Sequence, residues 1–319
     1  MSIKHIIGCV IPAGALLFGA SPACAQSYPN KPIRIITSAP GNGDDLAARL
    51  IAQGVAGALG QQVVVDNRGF VAVEMVAKAA PDGYTVLLYG SPMWLAPFMR
   101  ESVPYDPVTD FSAVTWATVS PNILVVHPAL AVKSVAELVA LAKAKPGELN
   151  YGTGSAGSTP HLAAALFKSM TGVNIVRVPY KGSAPALTAL IGGQLQFMFP
   201  STSSVAPHLS SGRLKALAVT SAQPSALAPG LPTMAASGLP GYESASLLGV
   251  FAPAATPAAL VNRLNHEMVR ALTRTDAKER LFNSGVEAVG SSPEQFAATV
   301  KSEMAKWGKI IRDVGIRDE

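Results

Sequence analysis

Ser155, Ser158 and His161 stand within seven residues of one another, in the segment NYGTGSAGSTPHLAAALFKSMT at positions 150–171. A nucleophilic serine beside a histidine suggests acyl transfer, so hydrolysis is the first chemistry to weigh. The nucleophile elbow needs G-x-S-x-G. Around Ser155 the chain reads Thr153-Gly154-Ser155-Ala156-Gly157, and around Ser158 neither glycine falls in place. A triad also needs an acid to orient the histidine, and no carboxylate nearby in sequence offers itself. The same residues suit anion binding better. Gly154, Ser155, Ala156, Gly157 and Ser158 carry little bulk, so a ligand can approach their backbone closely. Thr159 as N-cap and Pro160 at the first helical position predict a helix start, with His161 in its first turn. Free N–H groups and hydroxyls at a helix N-terminus attract anions. By composition alone, a Gly/Ser loop is only a turn.

Other chemistries are weaker. His127, His161, His208 and His266 are scattered without paired spacing, so no metal site is expected. The phosphate-loop pattern and the dinucleotide fingerprint are both absent, so no cofactor is expected. Lys181, in Tyr180-Lys181-Gly182-Ser183, is as well explained by a solvated turn before a Ser183-capped helix as by a cation beside a cleft.

The elements that must position the focal loop follow an alternating pattern. Residues 33–37 read as a buried strand, followed by the loop 38–43 and a helix opened by Asp44, Asp45 and Leu46 and ended by Gly60. Gly54 and Gly57 within that helix predict close packing against a neighbour. Strands at 63–65 and 85–88 flank a short helix at 72–79, which argues for a parallel sheet covered by helices. Ligands of such sheets lie beyond the C-terminal strand ends, where Pro40, Asp45, Gly90 and Ser91 fall. Strands at 114–119 and 122–127 follow. Ser134 and Glu137 form a capping-box signature before the next helix. Beyond the focal segment the alternation repeats, with strands at 175–178, 195–199 and 214–219, a helix at 184–191, and a polar loop of Pro200, Ser201, Thr202, Ser203 and Ser204. Positions 223–240 read as a surface connection, then a strand at 246–251 and three helices close the chain. The last is marked by Ser292, Pro293 and Gln295. These helices should return to the first domain, giving two α/β lobes joined by crossing strands near 121–125 and 246–251, with a ligand site between them.

Lys4 and the apolar run 6–20, followed by Ala23-Cys24-Ala25, read as a signal peptide covering residues 1–25. Its removal takes both cysteines, Cys9 and Cys24, so the mature chain has no disulfide and belongs in an extracytoplasmic space. Net charge falls from +5 to about +4 and only 14% of residues are charged, without a basic tract, which argues against nucleic acid. No later run reaches membrane length.

A set of short words carries a family resemblance. They are Tyr28-Pro29-Asn30-Lys31-Pro32-Ile33, Val65-Asp66-Asn67-Arg68, Ala80-Pro81-Asp82-Gly83-Tyr84-Thr85 and Pro104-Tyr105-Asp106-Pro107, then Val178-Pro179-Tyr180-Lys181-Gly182, Leu217-Ala218-Val219-Thr220-Ser221 and Gly238-Leu239-Pro240-Gly241-Tyr242. The chain resembles the Bug or TctC-type solute receptors of tripartite tricarboxylate transporters. The resemblance implies a two-lobed, type II-like periplasmic binding protein, with lobe 1 from 26–122 and 250–319 and lobe 2 from 123–249. It implies a small carboxylate ligand, a periplasmic location, and transmembrane permease subunits as partners. It also implies ligand contacts from Ala39, Pro40, Gly41, Asp45, Gly90 and Ser91 in one lobe, and from Gly154, Ser155, Ala156, Gly157, Ser158, His161, Ser201 and Thr202 in the other. Asp45 is better suited to capping its helix than to meeting a ligand carboxylate, since like charges repel. Three departures stand out. The segment Gly69-Phe70-Val71-Ala72-Val73-Glu74 is shorter than the family's glycine-rich one. Met93 and Trp94 bring bulk near a small polar loop, as core residues or as a cleft wall for an aromatic acid. No Asp follows Phe199-Pro200, which weighs against an amino-acid ligand bound through that position. Two other functions remain open: a periplasmic hydrolase using Ser158 and His161, and a ligand-sensing partner of a signalling kinase.

Overall fold

The structure, a computed structural model, describes residues 28–38, 40, 43–154 and 157–317. The signal-peptide segment, Ala39, Gly41, Ser155 and Ala156 lie outside the described residues. The chain begins with β1 (Ile33–Thr37), α1 (Gly43–Leu59), β2 (Val63–Asn67), α2 (Val71–Ala77), β3 (Thr85–Gly90) and α3 (Ser91–Met99). β1 pairs in parallel with β2 and β3, as expected of strands joined by crossover helices. Positions 89–92, expected as loop, are instead the end of β3 and the start of α3. The strand runs on because Gly90 is extended and pairs with Leu248.

β4 (Phe111–Pro121) then leads through the single residue Asn122 into β5 (Ile123–Val126). α4 (Val135–Ala144), β6 (Asn150–Thr153), α5 (Thr159–Thr171), β7 (Val176–Pro179), α6 (Ser183–Ile191), β8 (Phe197–Met198), α7 (Thr202–Ser210) and β9 (Lys215–Val219) build the second unit. The chain returns along β10 (Ala245–Pro253) and closes with α8 (Ala258–Leu272), α9 (Thr275–Asn283), β11 (Glu287–Ala288) and α10 (Pro293–Val314). The result is one sheet in the order β11-β4-β10-β3-β1-β2 and another in the order β7-β6-β8-β5-β9. β4 and β10 are antiparallel throughout their length. The fold is thus α/β and two-lobed.

The two passages between sheets meet at Thr220. Its backbone N–H donates to the Asn122 carbonyl at 2.9 Å, and the Ser244 N–H donates to the Thr220 carbonyl at 2.9 Å. The Asn122 N–H donates to Thr220 Oγ1 at 2.8 Å, while Oγ1 lies 2.6 Å from the Ser244 carbonyl.

The lobes also share a core. Trp94, Phe251 and Phe296 of the first sheet's unit belong to the same buried cluster as Phe167, Phe197 and Phe199 of the second. Tyr242 Oη donates to the Ala163 carbonyl of α5 at 2.7 Å, inside that cluster. α8 packs on α1 as expected, but α10 packs on α5 as well as α3, so the last helix serves both lobes. Met93 and Trp94 are completely buried and are core residues. Gly54 permits the α1–α8 contact: a methyl group there would stand 2.5 Å from Cβ of Ala271. Gly57 faces open space, so packing does not account for it.

Helix starts follow the local signals at α10 and depart from them at α4, α5 and α6. Ser292 and Gln295 form the full capping box of α10. Ser134 accepts from the Glu137 N–H, but the Glu137 carboxylate reaches back to Lys133 N–H, one residue earlier than a capping box requires. The N-cap of α5 is Ser158, not Thr159, because the left-handed Gly157 (φ 68°) turns the chain one residue sooner. The α6 cap is Gly182 at φ 110°, which places Ser183 inside the helix.

Candidate functional site: a hydroxyl-lined cavity between the lobes

A cavity of about 430 Å³ opens where the two sheets meet. Its described lining comes from three strand-to-helix connections and the crossing strands. Asp44 and Leu46 stand in the first turn of α1, Thr159 begins α5, and Ser201 and Ser203 lie at the start of α7. Thr118 and Ser120 come from β4, Asn122 from the crossing, Ser246 and Leu248 from β10, and Ser284 and Val286 from the turn after α9. This is the position expected of parallel sheets, whose ligands lie beyond the carboxyl ends of the strands. Hydroxyls dominate the wall, and no Lys, Arg or His is among its described residues. Neither α5 nor α7 has a side-chain hydrogen bond at its N-cap, so their first N–H groups are left to other acceptors.

The focal loop is held from below. Arg177 donates from Nε to Thr153 Oγ1 at 2.8 Å and from Nη2 to the Gly154 carbonyl at 3.2 Å. The Gly157 N–H donates to His161 Nδ1 at 3.2 Å, so in the neutral ring the proton sits on Nε2. Burial, reinforced by the Arg177 charge, lowers the His161 pKa to about 4. The Ser158 Oγ is buried and has no hydrogen-bond partner among the described residues, so it makes no Ser–His pair with His161. Ser201 Oγ bonds to Ser204 Oγ at 3.1 Å, and Thr202 Oγ1 donates to the Pro121 carbonyl at 3.0 Å.

On the other side, Asp45 is buried and turned to structural duty. It accepts from Asn67 Nδ2 at 3.0 Å and pairs with Arg49 at 3.0 Å. Its neighbour Asp44 faces the cavity. Asp44 accepts from Ser38 Oγ at 2.8 Å, and burial raises its pKa against that bond. Pro40 is exposed at its turn. Gly90 and Ser91 sit beside β10, where a Cβ on Gly90 would press to 2.9 Å from the Leu247 carbonyl.

Of the residues expected from sequence, Ser201 lines the cavity directly, while Asp45, Ser158 and Thr202 are chain neighbours of lining residues. Gly154, Gly157 and His161 shape the loop leading to Thr159. Thr118, Ser120, Asn122, Ser246 and Ser284 are not among the residues expected from sequence, while Asp44 falls within the expected connection 39–45. The alternation of Thr118 and Ser120 along a strand was the available signal for two of them. Among the described residues no cluster of His, Cys, Asp or Glu could hold a metal ion, and no helix is long and apolar enough to cross a membrane.

Two α/β lobes, two crossing passages and a polar cavity at the junction define a solute-binding protein. Residues 47–316 match the model of the tripartite tricarboxylate transporter family receptor (TctC), and the chain belongs to that family. It is 34% identical over 319 residues to the protein BugT of Bordetella pertussis, covering 98% of this chain and 97% of the relative. Among solved structures it is similar to Rpa4515 of R. palustris with adipate (37% identity, TM-score 0.78, 91% of this chain and 99% of that one). It is also similar to MatC of Rhodopseudomonas palustris with bound malate (28% identity, TM-score 0.74, 89% and 100%).

Proposed function

We propose that this receptor captures a small organic carboxylate in the cavity between its lobes and presents the closed form to the permease subunits of a tripartite transporter. The observation that carries the reading is the convergence of two helix N-termini without side-chain caps, those of α5 and α7, on a wall of hydroxyls. Such a wall binds an anion through neutral donors. Each net hydrogen bond contributes only about 1 kcal/mol, so the ligand can be released again. The adipate and malate held by the two similar structures support the ligand class. The lobes divide as residues 26–122 with 245–319 and residues 123–244, since β10 pairs with β4 from Ala245 onward instead of joining the first lobe at residue 250; the first 25 residues serve as an export signal, and the mature protein works in the periplasm. The protein is a receptor and not an enzyme. A Ser158 hydroxyl without a partner among the described residues and a His161 occupied by the Gly157 turn favour no hydrolase.

Among the described residues, Pro40, Gly154, Gly157, Ser158, Ser201 and Thr202 belong to the connections that approach the ligand. Asp45 and His161 hold those loops in place. The test is thermal unfolding of residues 26–319 against mono-, di-, tricarboxylic and aromatic acids. An acid at a hundredfold over its Kd adds about 2.7 kcal/mol of stability. A selective upward shift is the expected result. No shift with any carboxylate would overturn the reading.

A further inference from the structure

We infer that the ligand of this receptor carries a hydrogen-bond donor, a hydroxyl or an ammonium, in addition to its carboxylate, and that Asn122 and Asp44 read that donor. The inference rests on the receptor reading and sharpens it.

Asn122 is 1% exposed and lies on the cavity wall. Its other polar atoms each have a partner. The backbone N–H is held by Thr220 Oγ1, the backbone carbonyl by the Thr220 N–H, and Nδ2 donates to the Phe199 carbonyl. That last bond fixes which side of the amide faces which way, since a carbonyl accepts only from the NH2. Oδ1 is left buried with no partner among the described residues. It can only accept.

Three nearby hydroxyls do not relieve it, because their protons are committed. Ser120 donates to the Gly285 carbonyl at 2.7 Å, Ser284 to the Arg280 carbonyl at 3.0 Å and Thr202 to the Pro121 carbonyl at 3.0 Å. A second acceptor comes from the opposite sheet's unit. The Asp44 carboxylate lines the same cavity and has Ser38 Oγ as its one hydrogen-bond donor among the described residues. An unsubstituted dicarboxylate brings only acceptors to this part of the wall and places like charge beside Asp44. A hydroxyl or ammonium on the acid supplies what both groups lack. Sites built to hydrogen-bond an O–H or N–H discriminate strongly against analogues without one, because the site's own polar groups are then left unpaired.

The test is calorimetric titration of residues 26–319 with matched acids: succinate against malate and aspartate, glutarate against 2-hydroxyglutarate and glutamate, adipate against 2-aminoadipate. In at least one series the substituted acid is expected to bind tenfold or more tightly than its parent. The hydroxyl and ammonium arms identify which donor is used. Asp44→Asn and Asn122→Ala, each checked for retained secondary structure and cooperative melting, should narrow the ratio within that series. Asp44→Asn alone covers the case in which Asn122→Ala fails to fold. Equal or tighter binding of the unsubstituted acids would overturn the inference and leave the receptor reading intact. An unchanged ratio in the folded variants would overturn the assignment to these residues. Binding by no acid in any arm would overturn the receptor reading and the inference together.

Discussion

The backbone N–H of Gly157 donates to Nδ1 of His161 four residues later, closing the loop before α5 on a buried imidazole. Burial and Arg177 hold that ring's pKa near 4, against an ordinary value of about 6.5. Between pH 6.5 and 4 the unfolded chain therefore binds a proton that the folded chain refuses. The contribution is complete above pH 6.5 and is lost as pH falls through that window, by about 3 kcal/mol in all. Urea unfolding of the wild type and His161→Gln from pH 4 to 7 measures it. The wild type should show the steeper loss on acidification.

Thr220 fastens both passages between the sheets through one hydroxyl. Thr220→Val keeps the shape and strands the buried Asn122 N–H. The expected cost is about 1–3 kcal/mol, read as a lower urea midpoint with unchanged slope. Thr220→Ser, which keeps the hydroxyl, should lose less.

Gly54 and Gly57 lie on the same helix and should respond with opposite signs. Alanine at Gly57 meets nothing within 4 Å and should stabilise by roughly 0.5–1 kcal/mol, the helix-propensity difference. Alanine at Gly54 gains the same propensity but forces α1 away from Ala271 of α8, an overpacking cost of about 1–3 kcal/mol. Thermal melts of the two variants compare them directly.

Two serines cap helices in different ways. Ser292 bonds to the Gln295 N–H at 3.2 Å and accepts the full reciprocal box, so Ser292→Ala should cost about 1 kcal/mol. Ser158 makes no such bond, and its Oγ is buried without a partner among the described residues. Ser158→Ala should leave stability within about 0.5 kcal/mol while weakening acid binding. Melting and titration of both variants separate structural from ligand-directed capping.

The alternation of strands and helices was legible because it is written in local terms: apolar period, glycine stops, proline starts and capping residues. The same signals point to the connections at 39–45, 154–161 and 200–203 as candidates for a ligand, because strand-to-helix connections of small polar residues leave backbone donors free. The shared core of Trp94, Phe167 and Phe296 was not legible, since nothing local tells which buried face meets which across lobes.

Sequence by itself determined the two α/β runs, the capping box that opens α10 and the absence of any motif for metal, nucleotide or acyl transfer. Tertiary structure decided which polar groups reach the cavity. Asp44 and Asp45 are adjacent and chemically identical, yet one helical step of about 100° sends Asp45 to Asn67 and Arg49 and leaves Asp44 on the cavity wall. Asn122 turns its spare acceptor to the cavity because Thr220 and Phe199, 98 and 77 residues away in the chain, hold its backbone N–H and its amide nitrogen. Such assignments depend on partners brought together by folding, and no local pattern carries them.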